Sequence, residues 1–172
     1  MAECIICDLV EGKIPIKRIY EDDEILAFLD FNAGNIGHSF VVPKKHIPIF
    51  EQVPDELVEK LFKIANKVST ALFETLKIDG TNIFITNGVS AGQTVAHFTI
   101  NVIPRKEKDG INLQWEPKQL SEEEMSTVEL KIKESAENVI PKPEPKQQTA
   151  EKTIIKGNDE NYLWKSMNRR RA

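Results

Sequence analysis

The chain has 172 residues, 40% hydrophobic and 29% charged, with a formal net charge of −4; this is ordinary globular composition with room for one core-bearing domain. It contains no apolar run of about 18 residues, and Met1-Ala2-Glu3-Cys4 lacks a basic stretch followed by an apolar one, so neither a membrane span nor a secretory signal is read and a cytoplasmic location is expected. With only two cysteines and three histidines, any site rich in thiolate or imidazole must use nearly all of them.

In chain order, residues 18–21, 25–30 and 39–42 are short apolar or alternating runs, separated by Asp22-Asp23 and by the loop Asn32-Ala33-Gly34-Asn35-Ile36-Gly37. They predict successive antiparallel strands. Pro54-Asp55-Glu56 then opens a segment in which Leu57, Leu61, Ile64, Ala65, Val68, Leu72 and Leu76 recur at three- and four-residue spacing. That pattern predicts an amphipathic helix of about six turns, ending before Asp79-Gly80. Two further strands are predicted over 82–86 and 97–103, joined by the turn-rich Asn87-Gly88-Val89-Ser90-Ala91-Gly92. Ser121 with Glu124 three residues on is a capping box, and its helix is expected to run to about Asn138. The expected fold is α+β: an antiparallel sheet of about five strands with one long and one or two shorter helices.

Charge is unevenly spread. Residues 141–172 hold eight basic and four acidic side chains, a net of +4, which leaves −8 on the first 140. A basic surface confined to one end is not the profile of a domain that grips nucleic acid over its folded body. Pro141, Pro143 and Pro145 make 141–152 an extended spacer. The clustered Tyr162, Leu163, Trp164 and Met167 suggest that 153–172 is a basic segment docked on its own body, a second subunit or a partner. The domain organisation read from sequence is thus 1–140, 141–152 and 153–172.

The richest stretch chemically is Gly92-Gln93-Thr94-Val95-Ala96-His97-Phe98-Thr99-Ile100-Asn101-Val102-Ile103-Pro104-Arg105. Strand alternation puts His97, Thr99 and Asn101 in one polar row and turns Phe98, Ile100 and Val102 to the core. Many half-buried antiparallel strands keep one polar face, so periodicity alone does not make this row functional.

This stretch resembles the signature of the histidine-triad (HIT) superfamily, Gly-Gln-x-Val-x-His-x-His-x-His followed by two apolar residues and, in many members, Pro-Arg. The likeness extends to Cys4-Ile5-Ile6-Cys7, Glu11-Gly12-Lys13-Ile14-Pro15, Tyr20-Glu21-Asp22-Asp23, Ala27-Phe28-Leu29-Asp30 and Gly37-His38-Ser39-Phe40-Val41-Val42-Pro43-Lys44-Lys45-His46. The resemblance implies a homodimeric α+β domain that binds purine nucleotides; active members transfer or hydrolyse nucleotidyl groups through a covalent nucleotidyl-histidine. The triad is degenerate, however: His97 keeps the first position, Thr99 stands at the nucleophile's and Asn101 at the third. A neutral imidazole is a good nucleophile near pH 7, whereas a Thr hydroxyl is weak without a positioned base. Asn101 retains hydrogen-bonding capacity but cannot carry positive charge.

By the same resemblance, Asp30 holds ribose hydroxyls, and Ile5, Ile6, Leu9, Phe28, Leu29 and Phe31 wall the base. Asn87, Gln93 and Thr94 face phosphate, and His38 lies beside the catalytic strand. Asp30 also fits a strand-ending Asp-x-Asn turn, and pocket walls overlap with core.

Cys4-x-x-Cys7 has the separation that lets two thiolates reach one tetrahedral ion; a redox pair and two buried thiols are the other readings. Among HIT proteins with this pair, structural zinc is completed by the His of Pro-Lys-x-His and the first triad His, here His46 and His97. Three functions follow from the sequence: a nucleotide-binding protein with impaired or absent nucleotidyl-histidine chemistry, a phosphohydrolase or nucleotidyl transferase with an altered nucleophile, and an RNA or ribonucleoprotein module acting through the basic tail.

Overall fold

Residues 4–140 are described by a computed structural model. The chain divides into two compact units, Met1–Gln114 and Trp115–Ala172. The spacer and basic segment expected over 141–152 and 153–172 lie outside the described residues.

The first unit is built on β1 (Arg18–Glu21), β2 (Ile25–Leu29), β3 (Ser39–Pro43), β4 (Gly80–Ile85) and β5 (Ile100–Arg105), with helices α1 (Ile5–Val10) and α2 (Asp55–Leu76). The strands form one antiparallel five-stranded sheet in the order β1-β2-β3-β5-β4. Asp22 sets the first hairpin by accepting from the Glu24 and Ile25 N–H groups at 2.8 and 2.7 Å, the side-chain turn typical of Asp. Alternation then sorts each strand between two faces. Ile25, Ala27, Val41, Ile100 and Val102 join Leu57, Leu61, Ala65, Val68 and Leu72 of α2 in the main core. Leu26, Phe28 and Val42 point the other way and are covered by Ile6 and Leu9 of α1.

The loop before β3 is tied to the end of α2 by Gly37. Its φ is +93°, and a Cβ there would lie 2.7 Å from Leu76 Cδ1 and 2.9 Å from Leu72 Cδ2. Both the backbone conformation and the space therefore demand glycine.

The sequence placed the last strand at 97–103, but β5 begins at Ile100. His97 N–H bonds back to Val95 O at 2.8 Å and Phe98 N–H to Ile47 O at 2.6 Å, so the chain bends before it enters the ladder. Opposite lies Pro43, which has no N–H to offer a ladder; its carbonyl accepts from the His97 ring instead, at 2.9 Å.

In the second unit, α3 spans Glu122–Val139, and Ser121 and Glu124 make the reciprocal capping box expected from the sequence.

Candidate functional site

On the sheet face away from α2, beside α1, lies a cavity of about 460 Å³. Strand register creates it. Asn101 is flanked by Phe40 on β3 and Phe84 on β4 as direct cross-strand neighbours, so one polar side chain stands between two aromatic ones. Ile5, Ile6 and Leu9 of α1, with Phe28 and Phe31, add apolar wall; Asp30, Gln93, Thr94, His97, Thr99 and Asn101 add polar groups. Of the residues expected from the sequence, Leu29, His38 and Asn87 are not on this wall. The structure adds Asn32, Phe40, Phe84, Thr86, Gly92 and Val95. Phe40 and Phe84 are legible only once the pairing of β3, β5 and β4 is known, because no local motif marks them.

Asp30, the buried His38 and the buried Asn101 lie in a row. Asp30 Oδ2 lies 3.3 Å from His38 Nδ1, and His38 Nε2 lies 3.2 Å from Asn101 Oδ1. Asp30 Oδ1 also accepts from the Asn32 N–H at 2.9 Å, so the Asp-x-Asn turn and the cavity-facing role coexist. His38, 7% exposed, thus stands behind Asn101 and orients its amide. Thr99 donates its hydroxyl to His97 O at 3.1 Å.

Other expected phosphate contacts are engaged elsewhere. Gln93 accepts from the Gly88 N–H at 2.8 Å and donates to Pro48 O and Val95 O at 2.7 and 2.9 Å, holding the loop between β4 and β5 in shape. Asn87 donates to Glu51 at 2.8 and 2.9 Å and accepts from the Phe50 N–H at 3.0 Å.

At one end of the cavity, the Sγ atoms of Cys4 and Cys7 and ring nitrogens of His46 and His97 all lie within 4.8 Å of one another. Cys4 caps α1 and Cys7 sits in its first turn, while His46 follows β3 and His97 lies on the bend before β5. The separations are 3.5 Å from Cys4 Sγ to His97 Nδ1, 3.7 Å from Cys7 Sγ to the same atom, and 3.3 Å from Cys7 Sγ to His46 Nδ1. A tetrahedral ion with ordinary Zn–S and Zn–N lengths gives S···N edges of about 3.5 Å. The donor set therefore fits such an ion in both chemistry and spacing. His97 Nε2–H donates to Pro43 O, which fixes the tautomer and turns the Nδ1 lone pair to the cysteines, as an imidazole must be held if that nitrogen is to bind a metal. Burial lowers the His97 pKa, the Pro43 hydrogen bond opposing it. Burial, and next the neighbouring Cys4, push the Cys7 thiol up to about 11.

The sequence profile of the HIT domain matches residues 11–108. The chain belongs to the HIT family. An uncharacterized HIT-like protein of Methanocaldococcus jannaschii is 46% identical over 107 residues, covering 62% of this chain and 82% of that one. An adenylylsulfatase of Arabidopsis thaliana is 36% identical over 107 residues, 62% of this chain and 54% of its own length. Among solved structures, a HIT family member from Bacillus subtilis superposes with a TM-score of 0.73 at 33% identity, covering 77% of this chain and 96% of its own. A zinc-bound histidine triad family protein from Mycobacterium smegmatis superposes at 0.61 with 32% identity, over 78% and 97% of the two chains. The described architecture is the HIT fold. Within the HIT signature, Thr99 and Asn101 both face the cavity, whereas His97 commits one ring nitrogen to Pro43 and the other to the cysteines.

Proposed function

We propose that this HIT protein binds purine nucleotides in the cavity beside α1, holds a structural zinc ion at Cys4, Cys7, His46 and His97, and lacks nucleotidyl-histidine chemistry. The observation that carries this reading is the commitment of His97. With Nε2–H on Pro43 O and Nδ1 on the thiols, no His97 nitrogen is free to take the Thr99 proton, and that hydroxyl donates to a backbone carbonyl. A hydroxyl without a base is a poor nucleophile at neutral pH. Binding is a different matter. Ile5, Ile6, Leu9, Phe28 and Phe31 supply the apolar wall that a base requires, and Asp30 supplies an acceptor for ribose hydroxyls. Cys4, Cys7, His46 and His97 would hold the ion, which would tie α1 to the segments after β3 and before β5.

Support for the ligand and metal classes comes from the family, from the adenylylsulfatase relative and from the zinc-bound structural neighbour. A homodimer belongs to the same reading. β4 is an edge strand with Ile83 exposed, and edges are where sheets extend; sedimentation velocity should give the mass of two chains. Binding and turnover of a panel of adenosine and guanosine nucleotides test the main proposal, with wild type and the Thr99→His/Asn101→His variant side by side. The wild type is expected to bind without turnover. Wild-type hydrolysis through a covalent Thr99 adduct would overturn the loss of chemistry, and absence of all binding would overturn the ligand class.

A further inference from the structure

We infer that His38 is a positioning residue: its ring fixes the Asn101 amide with the NH2 turned to the cavity, so that the third signature position is a hydrogen-bond donor that selects a 5′-phosphate oxygen. This deepens the purine-nucleotide reading and rests on it.

An asparagine amide has two ends of similar shape and opposite polarity, an oxygen that accepts and a nitrogen that donates twice. Which end meets a ligand depends on what holds the other. Here the loop that carries His38 decides. The Gly34 N–H, which can only donate, lies 3.2 Å from His38 Nδ1, so Nδ1 is the bare nitrogen and the ring proton sits on Nε2. Nε2–H in turn donates to Asn101 Oδ1 at 3.2 Å. A second proton, on Nδ1, would face Asp30 Oδ2 at 3.3 Å and leave Nε2–H in place. Asn101 therefore accepts from the ring in either charge state.

The ring has little freedom to do otherwise. His38 is buried, its own N–H donates to Asn35 O at 3.0 Å, and its carbonyl accepts from the Asp30 N–H at 2.9 Å. Its ring also tilts against Phe40, with centroids 5.1 Å apart. With Oδ1 occupied, Asn101 has its NH2 left for the cavity it lines. Among the described residues that nitrogen has no acceptor, and its cross-strand neighbours are Phe40 and Phe84, whose rings carry no oxygen or nitrogen. The acceptor must come from the ligand or from water. A buried donor without a partner is unfavourable, and a charged oxygen satisfies it most strongly. In the purine reading Asp30 meets the ribose, and one imidazole separates Asp30 from Asn101. The charged acceptor next to a ribose in a nucleotide is its 5′-phosphate. Unlike the imidazole of the HIT pattern, this amide keeps both its donors at any pH.

Two measurements on the full chain test this. Nitrogen-15 spectra of the His38 ring should show a proton on Nε2. A proton on Nδ1 alone would turn the Asn101 carbonyl to the cavity and overturn the inference whatever binds there. Isothermal titration with AMP and adenosine then compares wild type, His38→Leu and His38→Gln. Leucine removes the ring's donor, so AMP should bind at least about tenfold more weakly while adenosine stays within about threefold. Glutamine has an amide N–H that can replace Nε2–H and should keep AMP within about threefold of wild type. Unchanged AMP affinity in His38→Leu, or equal losses of both ligands, would overturn the inference and leave the purine reading standing. So would His38→Gln as weak as His38→Leu, which would make the shape of the ring, not its proton, the cause. If neither ligand binds wild type, the purine reading fails and the selection of phosphate fails with it. Should His38→Leu not fold, the wild-type spectra decide the direction of the amide.

Discussion

Asp30 is where residue-level geometry is most informative. One carboxylate oxygen takes the Asn32 N–H and the other leans on His38, yet the residue still faces the cavity. If it accepts from ribose, Asp30→Asn should weaken adenosine binding by about tenfold, since hydrogen bonds to a charged acceptor contribute about 1.5–3 kcal/mol. 2′-Deoxyadenosine should lose much less, so the ratio of the two affinities should collapse in the variant. An unchanged ratio would return Asp30 to a turn-capping role. Asp109 is a different kind of carboxylate, one that supports the fold. Arg105 grips it through Nε at 2.6 Å and through a second nitrogen at 2.9 Å, and this guanidinium holds the carboxyl well below its ordinary 3.8. A depressed folded-state pKa means stability that is present above the unfolded value and lost as pH falls through the folded one. Asp109→Asn should therefore melt below wild type at neutral pH, with the gap closing below about pH 3.8. A gap independent of pH would mean that packing, not the ion pair, is responsible.

Among the elements, α1 depends most on its surroundings. It has six residues and no side-chain cap, too short to persist alone. It is held by Ile6 and Leu9 against Leu26, Phe28 and Val42, and by the Cys4 and Cys7 cluster. Because Ile5, Ile6 and Leu9 also line the cavity, metal and ligand should be coupled. Chelation, or Cys4→Ser with Cys7→Ser, is expected to abolish amide-exchange protection in α1 and weaken adenosine binding by at least about tenfold, with α2 amides still protected. Intact binding after metal removal would sever the link. The same brevity made α1 invisible in the sequence, where no apolar period can be read over so few residues. By contrast α2 announces itself through six turns of spacing, and α3 through its capping box. The early start assigned to β5 failed for a tertiary reason: Phe98, Ile100 and Val102 do turn to the core while Thr99 and Asn101 face the cavity, but His97 and Phe98 bond to Val95 and Ile47 instead of a neighbouring strand. The gathering of Cys4, Cys7, His46 and His97 was legible because family likeness supplied partners that Cys-x-x-Cys alone could not choose. Asn87 and Leu29 were misplaced relative to the cavity because adjacency in a motif does not fix the direction of a side chain.

At the scale of the molecule, the sheet of the first unit divides its labour between two faces. The α2 face is closed core, with Leu61, Ile100 and Val102 at 0% exposure. The opposite face is half covered by α1 and half open as the cavity, where Phe40 and Phe84 flank Asn101. A five-stranded sheet permits this separation because alternation lets each strand serve both faces at once. Stability and recognition should then respond to different substitutions. Leu61→Ala removes a fully buried side chain against well-packed neighbours and should cost about 3 kcal/mol of unfolding free energy. Its adenosine affinity should stay within about twofold of wild type wherever the protein is folded. Phe84→Ala lies on an edge strand and on the cavity wall; its stability cost should be smaller, about 1–2 kcal/mol, because the ring is only partly buried. Its affinity should fall by about tenfold through lost apolar contact with the base. Denaturant unfolding and calorimetric titration on both variants would decide the matter, and equal losses of affinity in the two would show that the faces are coupled through the sheet.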